Sequence, residues 1–472
     1  MTYDLIIKGG TVVDGSGLPG ERADVGVSDG LITAVGDLAG DSAAETLDAE
    51  GHVVSPGFID GHTHMDAQLF WDDIGSNSCW HGVTSVVMGN CGFTLAPCAE
   101  KDKDLVLHNL ERAEDISPDA MNAGIDWSWE SFGEYFDTVD ALPKGLNYAG
   151  FVGHSAIRTY AMGARAMEEE ASEQDLSIMK RELGASLRAG ALGLSTSRTF
   201  SHRTPEGKPV ASRLASWDEV LTLARDMKKM GPGIMQLARE NTILDDEERR
   251  REFDGIKELA LDVGVPVTFG NTWYRPTSPH IWRQQVGMVD EIIAGGGSAM
   301  MQGTASWNCS LRSFETMTPY DYVPVWKEFR AKPLDAQLAG LRDPDTRQAL
   351  VDAARAHQHN PDPSMPNAFQ RPIDWDWIFP FDRPLPPYPS VADVARERGV
   401  EPVEAFMDLA AENDLNMFFI QPSFNQDQDA VIAMMRHPNC VVTFSDAGAH
   451  VATTVNPIHG QLLGHWVRNE QA

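Results

Sequence analysis

The chain has 472 residues, 42% of them hydrophobic, which suits a large buried core and excludes a disordered chain. Its formal charge of -31 at pH 7 repels nucleic acid and anionic membrane surfaces, so neither is expected as a partner. Five cysteines (Cys79, Cys91, Cys98, Cys309, Cys440), no basic-then-apolar opening and no apolar run near the roughly 20 residues that span a bilayer lead to the expectation of a cytoplasmic protein.

The first 50 residues predict short antiparallel strands. Strand 4–8 is followed by a Gly9-Gly10 turn and strand 11–14. A hairpin of 23–27 and 31–35 then closes on Ser28-Asp29-Gly30, because Asp-Gly suits tight turns. With a further strand at 45–47, residues 1–52 read as a small N-terminal β-sandwich piece.

From Val53 the pattern changes to short apolar strands separated by helical stretches, the mark of repeated βα units. Strands are predicted at 53–59, 85–89, 148–152, 192–196, 233–237, 266–270, 299–303 and 441–445, with helices such as 174–189, 217–230 and 245–263 between them. Closing these strands on one another gives an α/β chain with a (β/α)8 TIM-like barrel over residues 53–472. Trp129, Phe132 and Phe136 follow a helical spacing typical of core packing. Residues 310–440 exceed one βα connection and read as an insertion, either a wall of the substrate site or a purely structural addition.

The sharpest chemical signal is Pro56-Gly57-Phe58-Ile59-Asp60-Gly61-His62-Thr63-His64. Two histidines at i and i+2 leaving a strand project to one side, where both imidazoles can meet a single metal ion. Asp446, in Phe444-Ser445-Asp446-Ala447-Gly448-Ala449-His450, stands at the end of the last predicted strand. A carboxylate there can ligate a metal and take a proton from water, or it can simply cap the next helix. Cys91 ends the second strand and reads as a metal thiolate or as a small buried residue. His154 and Arg158 follow the third strand, suited to polarising a carbonyl and to gripping a carboxylate, or to ordinary loop hydrogen bonding. Arg198, His202, Arg239 and Arg275 also lie just past predicted strands, and any of them could make a second cationic contact. His450 is placed as an outer partner of the metal site. Neither a G-x-x-x-x-G-K-[ST] loop nor a G-x-S-x-G elbow occurs.

The Pro56–His64 run and the Ser445–His450 run together resemble the amidohydrolase superfamily. Gly89-Asn90-Cys91-Gly92, Gly153-His154-Ser155-Ala156-Ile157-Arg158 and Gly190-Ala191-Leu192-Gly193-Leu194-Ser195-Thr196 resemble its N-acyl-D-amino-acid deacylase (D-aminoacylase) branch. The resemblance implies metal-dependent hydrolysis of an amide, foremost an N-acyl-D-amino acid. The expected zinc ligands are His62, His64, Cys91 and Asp446, with Asp446, by that resemblance, the proton carrier and His154, by its place after the third strand, a second catalytic group. Arg158, Arg198, His202 and Arg239 are then candidate substrate contacts. It also leads one to expect histidines at the ends of strands five and six, where Gln236 and Asn271 stand instead. Amides are weak zinc ligands, so one ion is expected rather than two.

Another linear or cyclic amide could serve as substrate, and a barrel that has lost catalysis and only binds a ligand is the competing class. After Asp446 a single helix near 461–467 fits, and the strands that the resemblance leads one to expect beyond it are not found. The expectation is an unpaired N-terminal sheet edge, with reduced stability or homo-oligomerisation.

Overall fold

The computed structural model describes residues 2–471 except 112, 113, 115, 241–244, 271, 272, 358–371, 384–386, 449 and 451–457. The chain divides into two compact units, Met1–Phe58 and Ile59–Ala472.

The described residues of the first unit form one five-stranded sheet rather than the two layers of a sandwich. β1 (Thr2–Val12) pairs antiparallel with β2 (Glu21–Ser28), and β2 with β3 (Leu31–Gly36). β4 (Ser42–Asp48) and β5 (Val53–Val54) run parallel to β1, correcting the all-antiparallel expectation. Asp29 and Gly30 make the hairpin turn, with φ of 52° and 74° in the left-handed region such turns need. Gly9-Gly10 does not turn the chain. β1 runs straight through it, with a register slip between Ile7 and Gly10. Val53 and Val54, read above as the start of the first barrel strand, instead pair with Thr11 and Val12. Tyr3, Ile6 and Leu38 form a small core, whereas Leu31, Ile32, Val35 and Leu47 are exposed.

Past β5 the strands are β6 (Phe58–Asp60), β7 (His62–His64), β8 (Val83–Met88), β9 (Asn147–Gly150), β10 (Val152–Gly153), β11 (Gly193–Ser197), β12 (Ile234–Ala238), β13 (Val267–Phe269), β14 (Ala299–Gly303), β15 (Asn308–Arg312), β16 (Phe379–Pro380), β17 (Phe419–Phe424), β18 (Cys440–Val442) and β19 (Phe444–Gly448). One sheet has the order β6-β8-β9, a second β10-β11-β12-β13-β14-β18, and a third pairs β19 with β7. Neighbours in the six-stranded sheet run parallel, as do β8 with β9 and β19 with β7.

The sheets change over where strands are interrupted, and hydrogen bonds continue there. Gly61 N–H donates to the Thr443 carbonyl at 3.0 Å, Phe151 N–H to Met88 at 3.1 Å and Thr443 N–H to Gly303 at 3.1 Å. Among the described residues these bonds link the successive parallel sheets of the βα series one to the next, without a single closed sheet.

Amphipathic helices cover the sheets. Glu173–Arg188, held by a Ser172 capping box, and Trp217–Met230, capped by Ser216, send Leu183, Val220 and Leu223 into the core that contains Leu194, Met235 and Leu237. Trp129 and Phe132 are buried in that core, and Phe136 packs against it. Between β14 and β18, β15, β16 and β17 form an antiparallel sheet. A separate apolar cluster with Trp326, Phe406 and Phe419 at its heart lies in the same stretch. Among the described residues, no helix is long and apolar enough to cross a membrane.

Candidate metal centre

Strand alternation sets the histidines. Thr63, between them, donates its hydroxyl to the Val87 carbonyl of β8 at 2.8 Å, which leaves His62 and His64 sharing the other side of β7. β19 lies alongside, with Phe444 opposite His62 and Ala447 opposite Thr63, so Ser445 and Asp446 are inserted in the ladder as a bulge. Asp446 there adopts φ 60°, a left-handed conformation that costs a non-glycine residue on the order of 1–3 kcal/mol and aims its carboxylate at the two imidazoles. Ser445 hydrogen-bonds Asp60 through both its backbone N–H and its hydroxyl, fastening the last strand to the first. Gly448 is required by close approach: an added Cβ would lie 2.9 Å from His450 Nε2 and 3.0 Å from the His64 carbonyl.

The donor atoms converge. Asp446 Oδ1 stands 3.3 Å from His64 Nε2 and 3.7 Å from His62 Nε2, and Cys91 Sγ lies 3.4 Å from His62 Nε2. Cys91 follows β8, also at positive φ (56°), with its N–H donated to Gln236 Oε1 at 2.9 Å. His62 Nδ1 donates to Gln302 Oε1 at 2.7 Å, leaving the Nε2 lone pair to face the other donors. Phe444 packs on the His62 ring, with centroids 4.1 Å apart. A residue that sequence reasoning missed joins the group. Glu114 Oε2 is 3.2 Å from His64 Nε2.

Electrostatics favour a cation at this point. Burial pushes His62 down to about 4 and lowers His64, so both imidazoles are neutral lone-pair donors at pH 7. Burial alone would raise the Asp446 carboxyl, but the hydrogen bond and charge of His64, with His62 and His450, hold it well below the ordinary range. Burial, then the charges of Glu114 and Asp446, push the Cys91 thiol well up. A bound cation would reverse that last effect and favour the thiolate.

The donors fit zinc. A tetrahedral ion with bonds of about 2.0–2.3 Å has ligand atoms roughly 3.3–3.8 Å apart, and the donor pairs His62–Asp446, His64–Asp446 and Cys91–His62 stand at 3.7, 3.3 and 3.4 Å. His64 Nδ1 is buried without a hydrogen-bond partner, an orphaned atom beside the cluster. Two triads, His62–His64–Cys91 and His64–Glu114–Asp446, each bring ligand atoms within 4.8 Å of one another.

The remaining sequence candidates divide. His202 stands at the edge of the group, with Nε2 3.7 Å from Glu114 Oε1 and Nδ1 2.8 Å from the Ser197 hydroxyl. His154 is fully buried, and both its ring nitrogens are engaged: Nδ1 by Thr196 Oγ1 at 3.0 Å and Nε2 by Glu219 Oε1 at 2.8 Å. Arg158 faces the same Glu219 at 3.4 Å and donates to the Glu169 carbonyl at 2.8 Å. The helix His154–Met162 starts directly after β10 and turns both side chains into this network, so neither is free to polarise a carbonyl or grip a substrate. Arg198 is likewise committed, to Glu240 at 2.6 Å and over the Trp217 ring. Arg239 is buried 3.8 Å from Glu252. Gln236 is fully buried in β12, and Asn271 lies outside the described residues.

Arg275 differs from these. It is 6% exposed and stacks 4.3 Å over Phe424, with no hydrogen-bonded or acidic partner among the described residues. Phe424 stacks on Trp273, which meets Phe444, the ring on His62. Burial, then the neighbouring Arg239 charge, push Arg275 down to about 9.

The sequence model of the amidohydrolase family matches residues 45–471. The chain is 34% identical to the D-aminoacylase of Alcaligenes xylosoxydans xylosoxydans over 229 residues, 48% of this chain and 43% of that protein. It is 38% identical to the N-acyl-D-glutamate deacylase of the same organism over 200 residues, 42% of this chain and 38% of that protein. These matches span less than half the length of either relative. A solved N-acyl-D-glutamate deacylase from Bordetella bronchiseptica, complexed with zinc and a phosphonate inhibitor, superposes with a TM-score of 0.63 at 22% identity, covering 100% of this chain and 82% of that one. That likeness shows the fold, an α/β architecture of the TIM-barrel type.

Proposed function

The chain belongs to the amidohydrolase family, in its D-aminoacylase-like branch, and from that premise we propose that it hydrolyses the amide bond of an N-acyl-D-amino acid to a carboxylate and an amine. The observation that carries this reading is the convergence of His62, His64, Cys91 and Asp446 from the first, second and last strands of the βα series. These four residues would hold one zinc ion. When bound, the ion polarises the amide carbonyl and brings the pKa of water toward neutrality.

The protein's own groups do the rest. His62, fixed by Gln302 and Phe444, keeps its lone pair on the cluster. Asp446 is about one-fifth exposed where the histidines are about 1% exposed, so it is the member of the group that water and substrate can reach. Its depressed pKa keeps it a carboxylate. It takes the proton of the attacking water and returns it to the leaving nitrogen. Arg275, a buried guanidinium with no anionic partner among the described residues, receives the substrate carboxylate, with Arg239 adding positive charge nearby. His154 serves as a positioning residue in the Glu219 network rather than as a catalytic one.

The test combines metal analysis of the purified protein with turnover of matched N-acyl-D- and N-acyl-L-amino acids and a cyclic amide. Bound zinc with preferential cleavage of the D series supports the proposal. Zinc-dependent cleavage of the cyclic amide alone would move the substrate class. A protein that neither holds zinc nor turns over any member after zinc addition would be a binding barrel.

A further inference from the structure

We infer that Glu114 is an additional ligand of the metal centre, supplying a carboxylate from the helical segment after β8. The inference rests on the metal-centre reading above.

Glu114 is held in place at several points. Beyond the helix Lys103–Glu111, Glu114 N–H donates to the Leu110 carbonyl at 2.9 Å and Ile116 N–H to the Glu111 carbonyl at 3.1 Å. Ile116 then bridges antiparallel to His450, four residues past Asp446. The His450 ring lies between the Glu114 and Asp446 carbonyl oxygens, the second at 2.8 Å. The backbone of Glu114 is thereby tied to the segment that carries Asp446, and its side chain, 6% exposed, points into the donor group.

The contact with His64 is what calls for a cation. His64 Nε2 faces two carboxylate oxygens at once, Glu114 Oε2 at 3.2 Å and Asp446 Oδ1 at 3.3 Å. A ring nitrogen carries at most one proton and can satisfy one of them. Among the described residues no Lys or Arg pairs with Asp446, whose ion-pair partners are His62 and His64. A divalent ion among these atoms satisfies both carboxylates and accepts the His64 lone pair. Gln236, fully buried in the middle of β12, accepts the Cys91 N–H with its side-chain oxygen and leaves its amide nitrogen without a partner, so β12 contributes no anionic donor here. Glu114 adds the charge that this strand lacks.

The experiment compares the full-length wild type with Glu114→Gln and Glu114→Asp. Zinc affinity is read by competition with a chromophoric chelator, and ligand geometry by the visible absorption of the cobalt(II)-loaded proteins. Circular dichroism of the metal-free forms reports folding. Glu114→Gln, nearly isosteric, is expected to bind zinc at least about ten-fold more weakly, the loss that even an outer partner of a ligand produces. Its cobalt(II) bands should shift in position and intensity, with Glu114→Asp between the two. Wild-type affinity together with a wild-type cobalt spectrum in Glu114→Gln overturns the inference. Should that variant fail to fold, an unchanged affinity and spectrum in Glu114→Asp overturns it equally. A wild type that binds zinc but cleaves no amide defeats the proposed function while the affinity comparison still decides Glu114. A wild type that binds neither metal ends both.

Discussion

Replacing Gln302 by leucine tests whether the orientation of His62 governs metal binding. Gln302 is buried on β14, accepts the His62 Nδ1 proton at 2.7 Å and donates its amide to the Gly61 carbonyl at 3.4 Å. Leucine fills a similar volume and accepts nothing. The His62 ring then has two choices. It can keep its proton on Nδ1, leaving a buried donor unsatisfied at a cost of about 1–3 kcal/mol. Alternatively it can move the proton to Nε2, where it blocks the lone pair that faces Cys91 and Asp446. Either route lowers metal affinity by roughly 10–100-fold, equivalent to about 1.4–2.8 kcal/mol, in line with the unsatisfied-donor cost. Chelator competition measures this directly. Turnover at limiting zinc should fall in proportion and recover at saturating zinc, because the residues that touch substrate are untouched. Gln302→Glu, which keeps the acceptor, should bind zinc at least as tightly as the wild type. If Gln302→Leu binds zinc with wild-type affinity, the tautomer argument is wrong, and packing of His62 on Phe444 would be what orients the ring.

Asp446→Asn removes the proposed proton carrier and is expected to lower kcat by about 10²–10⁴-fold in a protein that still folds; a loss under ten-fold at saturating zinc would remove Asp446 from the mechanism. Arg275→Leu should raise KM for an N-acyl-D-amino acid by roughly 10–100-fold, from about 1.5–3 kcal/mol for a charge-assisted hydrogen bond, while leaving the matching carboxamide unaffected; an equal loss on both substrates would show that Arg275 does not read the carboxylate. Glu219→Gln breaks the buried contacts to His154 and Arg158 and should cost about 3–5 kcal/mol of stability without changing zinc affinity, checked by urea unfolding. Burial alone would raise the Glu219 pKa, but the His154 hydrogen bond and the charges of His154, Arg158 and Arg198 hold it below its ordinary value. The stability it contributes is therefore complete above the unfolded pKa of about 4.3 and is lost as pH falls through the folded one. The gap between the two proteins should narrow as pH falls through the folded value, and a gap independent of pH would refute the assignment.

Much of the fold can be read from the chain because short apolar runs bounded by turn residues repeat along it. The run 299–303 is β14 to the residue, and Trp217–Met230 is helical as its periodicity predicts. Where the reading failed, one local pattern served two structures. Val53-Val54 is apolar and β-branched, equally fit to begin a barrel strand or to extend the N-terminal sheet, and the partner that decided it, Thr11-Val12, is distant in sequence. Gly9-Gly10 permits a turn and a bulge alike, and pairing of β1 with β2 on both sides of it selects the bulge. The interruptions at Gly61, Phe151 and Thr443 leave no local trace, since they depend on how neighbouring strands bend together.

The site divides along the same physical line. His62, His64, Cys91 and Asp446 were legible because strand alternation and position at a strand end fix where such side chains go. Gln302 carried a weaker signal, a lone amide in the apolar run Ala299-Met300-Met301-Gln302. Position after a strand is not direction, however. His154 and Arg158 satisfy the same rule, yet the helix that begins at His154 carries them into a buried pair with Glu219, a residue of another helix. Glu114 has no spacing relation to any histidine. Its place is set by contact with His450, 336 residues further along the chain. A ligand delivered by its own strand can be inferred from sequence. One delivered by tertiary contact becomes visible only when the acceptors crowding His64 Nε2 are counted against the single proton that nitrogen can carry.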